Sequence, residues 1–288
     1  MARRRVIARA ERHGSIECVL RLTLALMCVG QAWWLAVVQE TPLVGWLHGP
    51  ADVGGWEFSE QFALRVQTAL ACFALVAGGV SLFRPLALLL LPLALLQATI
   101  AVAMWQTRSG FQIAEPWLPP AIASLLPFLT QAGRIAAPLT LWLHQRSGAW
   151  EAVARCGAAL AFAGHGLEAF QRSPEFTDLI LLAGQRFGAD LSETAVGLLL
   201  SGIGIADFMV AALLMARRWR FVAAYAAVWG LATAGSRMAA YGAALGWHET
   251  LMRSAHFGLP LALAIYWWRR PVSALAAENK ELGPMRVP

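Results

Sequence analysis

The chain has 288 residues, of which 58% are hydrophobic and only 14% charged, where a soluble domain of this length carries roughly 25% charge. Mean hydropathy is +0.56, so the chain reads as an all-α membrane protein whose first partner is the lipid bilayer. The formal net charge of +6 is spread over short junctions between apolar runs. It forms no contiguous soluble basic surface, which excludes nucleic acid as a partner and fits attraction to anionic lipid.

Apolar runs close to the ~20 residues that cross a hydrocarbon core begin near Ile16, Phe62, Pro85, Leu125, Ala152, Thr194, Trp219 and Leu251. They predict eight transmembrane helices. Residues 1–14 are a basic cytoplasmic segment, and no small-residue cleavage site follows the first apolar run, so that run reads as an uncleaved span. Basic residues then recur at alternate junctions: Arg84, then Arg146 and Arg155, then Arg217, Arg218 and Arg220, then Arg269 and Arg270. The intervening loops are acidic or mixed, with Glu40, Asp52, Glu57 and Glu60, then Arg108 and Glu115, then Glu175, Asp178, Asp190 and Glu193. Positive junctions face the cytoplasm, which predicts a multi-pass protein of the bacterial inner membrane with both termini inside. Tryptophans agree: Trp46, Trp56, Trp105, Trp117 and Trp247 fall at the outer boundary, and Trp142, Trp150, Trp219, Trp267 and Trp268 at the inner one. Residues 271–288 are a short polar cytoplasmic tail.

The two halves share a pattern. Arg21 stands nine residues before Gly30 as Arg155 stands nine before Gly164, and the same offset carries Leu96–Thr99 onto Gly230–Thr233. Ala137–Leu139 matches Leu259–Leu261 at an offset about twelve residues smaller. This predicts two parallel four-helix repeats, 15–146 and 152–270, the first with an extra outer interfacial segment near 116–128. The four cysteines, Cys18, Cys28, Cys72 and Cys156, include no CxxC pair and read as buried small hydrophobes.

Five ionisable residues fall inside the apolar runs of the second half: His165, Glu168, Arg237, Arg253 and His256. Counting ~1.5 Å per residue from the cytoplasmic arginines puts them in one band toward the outer face. His165 and Glu168, like Arg253 and His256, are spaced i,i+3 and share a helix face. Charge at that depth is costly, which marks a ligand-binding site, and an arginine paired to Glu168 is the expected arrangement. The repeat sets Gln31 opposite His165, Gln131 opposite Arg253 and Arg134 opposite His256, a secondary polar site. Asp207, near the midplane, calls for a hydrogen bond to another helix. His165 and His256 are also candidate axial ligands of a b-type haem. No metal site is assigned, because His165, Glu168 and His256 lack diagnostic spacing.

The stretches AFAGHGLEAFQRSPEFT at 161–177, GIADFMVAALLM at 204–215, WGLATAGSRMAA at 229–240 and MRSAHFGLPLALAI at 252–265 resemble the DoxX/DoxD-like superfamily of bacterial membrane proteins. The resemblance covers about half the chain and implies four-helix membrane units, here a fused pair, some of whose members are associated with quinone-linked sulfur oxidation or thiol redox. This chain lacks the cysteine pair of the redox-active members. The expected function is an outward-facing pocket for a small anionic or quinone-like molecule with a redox-associated accessory role, the cofactor being left open with quinone as one candidate. The alternatives are a transporter or permease-like protein, favoured by parallel repeats with intramembrane charge, and a non-catalytic subunit that meets membrane protein partners through its lateral faces.

Overall fold

The computed structural model describes residues 2–38, 40–108 and 124–270, the side chains of 2–13 and of Val53 excepted. Among the described residues there are eleven α-helices and no strand: α1 (Ala2–Val37), α2 (Pro42–His48), α3 (Glu60–Phe83), α4 (Ala87–Thr107), α5 (Leu126–His144), α6 (Trp150–Phe170), α7 (Pro174–Arg186), α8 (Glu193–Ala216), α9 (Arg220–Tyr241), α10 (Ala243–Met252) and α11 (Ser254–Trp268). Local chemistry sets several of the boundaries. Ser59 and Ser192 cap α3 and α8 by accepting from the N–H groups of Phe62 and Ala195. Pro42 and Pro174 stand in the first turns of the short helices α2 and α7, where a missing N–H costs nothing.

Among the described residues, four stretches are long and apolar enough to cross a membrane: Gly14–Val37, Glu60–Phe83, Ala87–Thr107 and Glu193–Ala216. The remaining helices of the bundle are more polar or shorter. Arg134 lies in α5, Glu151, Arg155 and Glu168 lie in α6, Arg237 lies in α9, and α11 has only 15 residues. Packing explains how polarity is tolerated there. The outer surface is carried by α3, α4, α8 and α9, which expose Leu75, Val76, Leu88, Leu95, Leu198, Met209 and Val228. Helices α5, α6 and α11 contribute Leu141, Ala154, Ala158, Leu259 and Trp267 to the central core, so much of their surface faces protein.

The same pairwise contacts recur in the two halves. Helix α1 packs on α3 as α6 packs on α8, α4 packs on α5 as α9 packs on α11, and α2 lies over α3 and α4 as α7 lies over α8 and α9. Arg21 Nη1 donates to the Leu82 and Phe83 carbonyls at the end of α3, both at 3.0 Å. Arg155 donates to the Leu214 and Met215 carbonyls at the end of α8, at 3.0 and 2.6 Å. Each arginine thereby satisfies last-turn carbonyls that have no intrahelical partner. One turn earlier, Glu17 accepts from Gln145 at 3.0 Å and Glu151 accepts from Trp267 at 2.9 Å. Helix exchange joins the halves: α1 packs on α10 and α11, and α6 packs on α5. A Cβ added to Gly30 meets the backbone of Met252, and one added to Gly164 falls 2.8 Å from the backbone nitrogen of Thr130. Small residues let these backbones approach.

Several details differ from the sequence reading. Helix α1 runs back to Ala2 through the basic segment. Leu126, Pro127 and Phe128, read as interfacial, form the first turn of α5, while the rest of that segment up to residue 123 lies outside the described residues, as does the tail 271–288. The eighth apolar run is interrupted: Gly242, at φ +83°, turns the chain into α10, and Arg253 separates α10 from α11. Only Cys28 is buried; Cys18, Cys72 and Cys156 are exposed, and all four are free thiols. They sit on outward helix faces, where a small apolar side chain is compatible with lipid.

Candidate functional site

The five ionisable residues converge at one end of the bundle, brought there by α6, α9 and the α10–α11 junction. His165 Nδ1 is 2.8 Å from Glu168 Oε2, a contact that their i,i+3 spacing dictates. The His165 and His256 rings meet edge to face, with centroids 4.8 Å apart. Arg253 Nη1 donates to Glu249 Oε2 at 3.0 Å. Arg237 is 4% exposed; its Nε lies 3.5 Å from Glu249 Oε2 and its Nη2 3.5 Å from Glu175 Oε1. Its guanidinium also sits over the Phe176 ring, 5.4 Å from the centroid, within cation–π range.

This corrects the expected pairing. Glu168 is held by His165, and the arginines are neutralised by Glu249 and Glu175, neither of which the sequence reading placed in the site. Glu249 had a signal, because it stands four residues before Arg253 on a helix. Glu175 looked like an ordinary loop carboxylate, but Ser173-Pro174 starts helix α7 and turns it inward.

The secondary polar residues do not form a second cluster. Arg134, 6% exposed, lies in the electrostatic field of Arg253, Arg237, Glu168 and Glu249. A Cβ on the adjacent Gly133 falls 3.2 Å from His256 Cδ2, so α5 presents this segment to the principal site. The Thr130 main chain hydrogen-bonds the His256 ring. Gln131 Nε2 contacts Met104 Sδ at 3.3 Å, and Gln31 is fully buried, with no hydrogen-bond partner for either side-chain atom among the described residues. The site is therefore a product of both halves, with α5 backing the imidazoles that α6 and α11 supply.

A cavity of about 340 Å³ opens beside this cluster. Its polar end carries His165, Arg237, Arg253 and His256; its walls are Phe162, Phe176, Ile180, Leu200, Ile203 and Gly230, and Asp207 and Trp229 stand at the far end. Helix α7 crosses the bundle end and turns Phe176, Leu179, Ile180 and Ala183 onto the cavity, one face at helical spacing. Asp207 accepts from Trp229 Nε1 at 2.8 Å, the interhelical bond expected of it. His165 Nε2 and His256 Nε2 are buried without a hydrogen-bond partner among the described residues, a costly state that a ligand or water in the cavity relieves.

Haem does not fit these residues. Two axial imidazoles must be separated by the iron and both iron–nitrogen bonds, with the porphyrin between them; rings in edge contact leave no such space. Among the described residues no group of three or more His, Cys, Asp or Glu is arranged to hold a metal ion. A flat carbonyl-bearing ring or a carboxylate does suit the lining, which offers arginine and imidazole donors at one end of an apolar chamber. No protein-family model, curated protein or solved structure matches the chain.

Proposed function

We propose that the chain is a DoxX/DoxD-like protein of the bacterial inner membrane, with eight spans in two parallel four-helix units and both termini cytoplasmic. The recurring contacts support the repeat: Glu17, Arg21 and Gly30 have the roles of Glu151, Arg155 and Gly164, each 134 positions on. In this arrangement α10 and α11 together make the eighth span, interrupted at Arg253. Reporter fusions after Arg146 and after Arg186 test the topology: cytoplasmic signal at the first and external signal at the second are expected, and the reverse at either site removes a span.

The second unit binds a small anionic or quinone-like molecule, and its role is that of a redox-associated accessory protein. The cavity carries this reading, because it joins apolar walls to two arginines and to two imidazole nitrogens that have no partner among the described residues. Arg253 and Arg237 supply donors for a carboxylate or carbonyl oxygen, and the His165–Glu168 pair can hold or release a proton beside it. The redox assignment rests on the family resemblance. The transport alternative asks for a polar path through the bundle, whereas the neighbouring space between α8 and α9 is lined by Met209, Val210, Leu213, Phe221 and Val222, which favours binding over passage.

Calorimetric titration of the protein in nanodiscs with a chain-less benzoquinone and with a small carboxylate tests the site. Saturable binding of at least one is expected, weakened at least tenfold by Arg253→Met. Absence of binding by both, or binding indifferent to Arg253→Met, overturns it.

A further inference from the structure

Helices α8 and α9 are adjacent in the bundle yet touch over little of their length. On the outer half, the gap between them is the side of the cavity that no helix among the described residues covers: Leu199 on its rim is 50% exposed, and Ala232 opposite is exposed as well. On the inner half, the same gap continues as a second, shallower hollow of about 370 Å³, lined by Met209, Leu213, Phe221 and Tyr225 among others. Met209, Phe221 and Tyr225 are 59%, 66% and 48% exposed. The Asp207–Trp229 hydrogen bond stands between cavity and hollow and ties the two helices at mid-depth. From Leu199 to Leu213 the trough follows fourteen residues of α8, ~21 Å at ~1.5 Å rise per residue.

The outer end of the cavity is closed by α7, so the uncovered approach is lateral. The chemistry is graded along it: guanidinium and imidazole groups lie at one end, then apolar walls, one polar tie, and finally an apolar hollow on a lipid-facing surface.

We propose that the α8–α9 trough is a tail-binding groove, and that the ligand is a single-chain amphiphile which enters from the bilayer, sets a carbonyl or carboxylate head against Arg253 and His256, and lays its chain past Trp229 toward Phe221. This rests on the binding role of the cavity and adds to it the class of ligand and the route of entry. The charge distribution selects the orientation: Arg237 and Arg253 line the head end, whereas no residue lining the hollow at the tail end is charged.

The test is photo-labelling of the full chain in nanodiscs by a single-chain carboxylate and by a single-chain benzoquinone, each with a diazirine at mid-chain, followed by mass-spectrometric mapping. At least one probe is expected to label Met209, Leu213, Phe221 and Tyr225 at least fivefold more than the equally exposed Leu75, Val76 and Leu95. Two groove-filling variants, Ala206→Trp and the surface change Met209→Trp, are expected to abolish that excess, and Arg253→Met to abolish it as well. Uniform labelling of all lipid-facing helices, or an excess that survives both Trp variants, overturns the groove and leaves the head pocket standing if chain-less compounds still bind. An excess that survives Arg253→Met makes the trough a site for bulk lipid and overturns the anchoring of any head in the cavity.

Discussion

At the end of the first half, Trp46, Trp56, Phe58 and Phe62 stack in series with centroid separations of 5.9, 5.8 and 4.9 Å, and Thr41 donates to Gln67, which in turn donates to the Val38 carbonyl. At the same end of the second half, four arginine and histidine side chains surround a cavity, and Glu168, Glu175 and Glu249 answer their charge. Where the second half has His165, Glu168 and Arg237, the proposed repeat gives the first Gln31, Trp34 and Ala103. The framework contacts are common to both, so the ionisable cluster is not something this architecture needs in order to pack. That separates scaffold from site more firmly than burial alone, because intramembrane charge is expensive and, among the described residues at this end, the first half buries only Arg134, beside the second half's cluster.

The largest effects belong to the shared scaffold. Gly30→Val and Gly164→Val each drive a side chain into backbone across the junction of the halves, and each is expected to cost more than about 3 kcal/mol, seen as loss of monodisperse protein after detergent extraction. Gly79→Val and Gly202→Val, with nothing within 4 Å of the added Cβ, are expected to stay within about 0.5 kcal/mol. Equal behaviour of the two sets would break the proposed equivalence of the junctions.

Next come the arginine clamps. Arg155→Met removes two hydrogen bonds from a residue 8% exposed and is expected to cost about 2–3 kcal/mol. Arg21→Met, from a more exposed position, is expected to cost about 1 kcal/mol. Thermal melts in detergent compare them, and a larger loss at Arg21 contradicts the burial argument.

Glu249→Gln leaves Arg237 and Arg253 without their shared carboxylate and is expected to destabilise by about 1–3 kcal/mol. Glu57→Gln, in the loop before α3, is expected to be neutral in the same melt. Smallest is Trp229→Phe, which deletes the Asp207 hydrogen bond and is expected to cost about 1 kcal/mol, with a matching change at the α8–α9 seam visible by hydrogen exchange.

Depth was legible in the sequence because helix rise is constant: counting from Arg155 and Arg220 brings His165 and Arg237 to one end, where both are found. Partnership was less legible. Which carboxylate meets Arg253 depends on rotation about the helix and on the break at Gly242, and an eighth span begun near Leu251 leaves Glu249 outside the helix that leads into Arg253. Helix α7 was missed because a 13-residue amphipathic segment is too short and too polar to register as a span, although Phe176, Leu179, Ile180 and Ala183 already share a helical face. The matching Glu17 and Glu151 contacts escaped notice because identical residues on separate helices carry no sign of the neighbours that bind them.

The central claim is that the second half's cavity is a ligand site and the first half's equivalent is not. Native mass spectrometry of the protein extracted directly from its membrane into nanodiscs tests this most directly, comparing the unaltered chain with Arg253→Met and with Gln31→Ala. The account predicts a bound amphiphile at near one per chain, lost in Arg253→Met and retained in Gln31→Ala; the same bound species at the same occupancy in all three would contradict it.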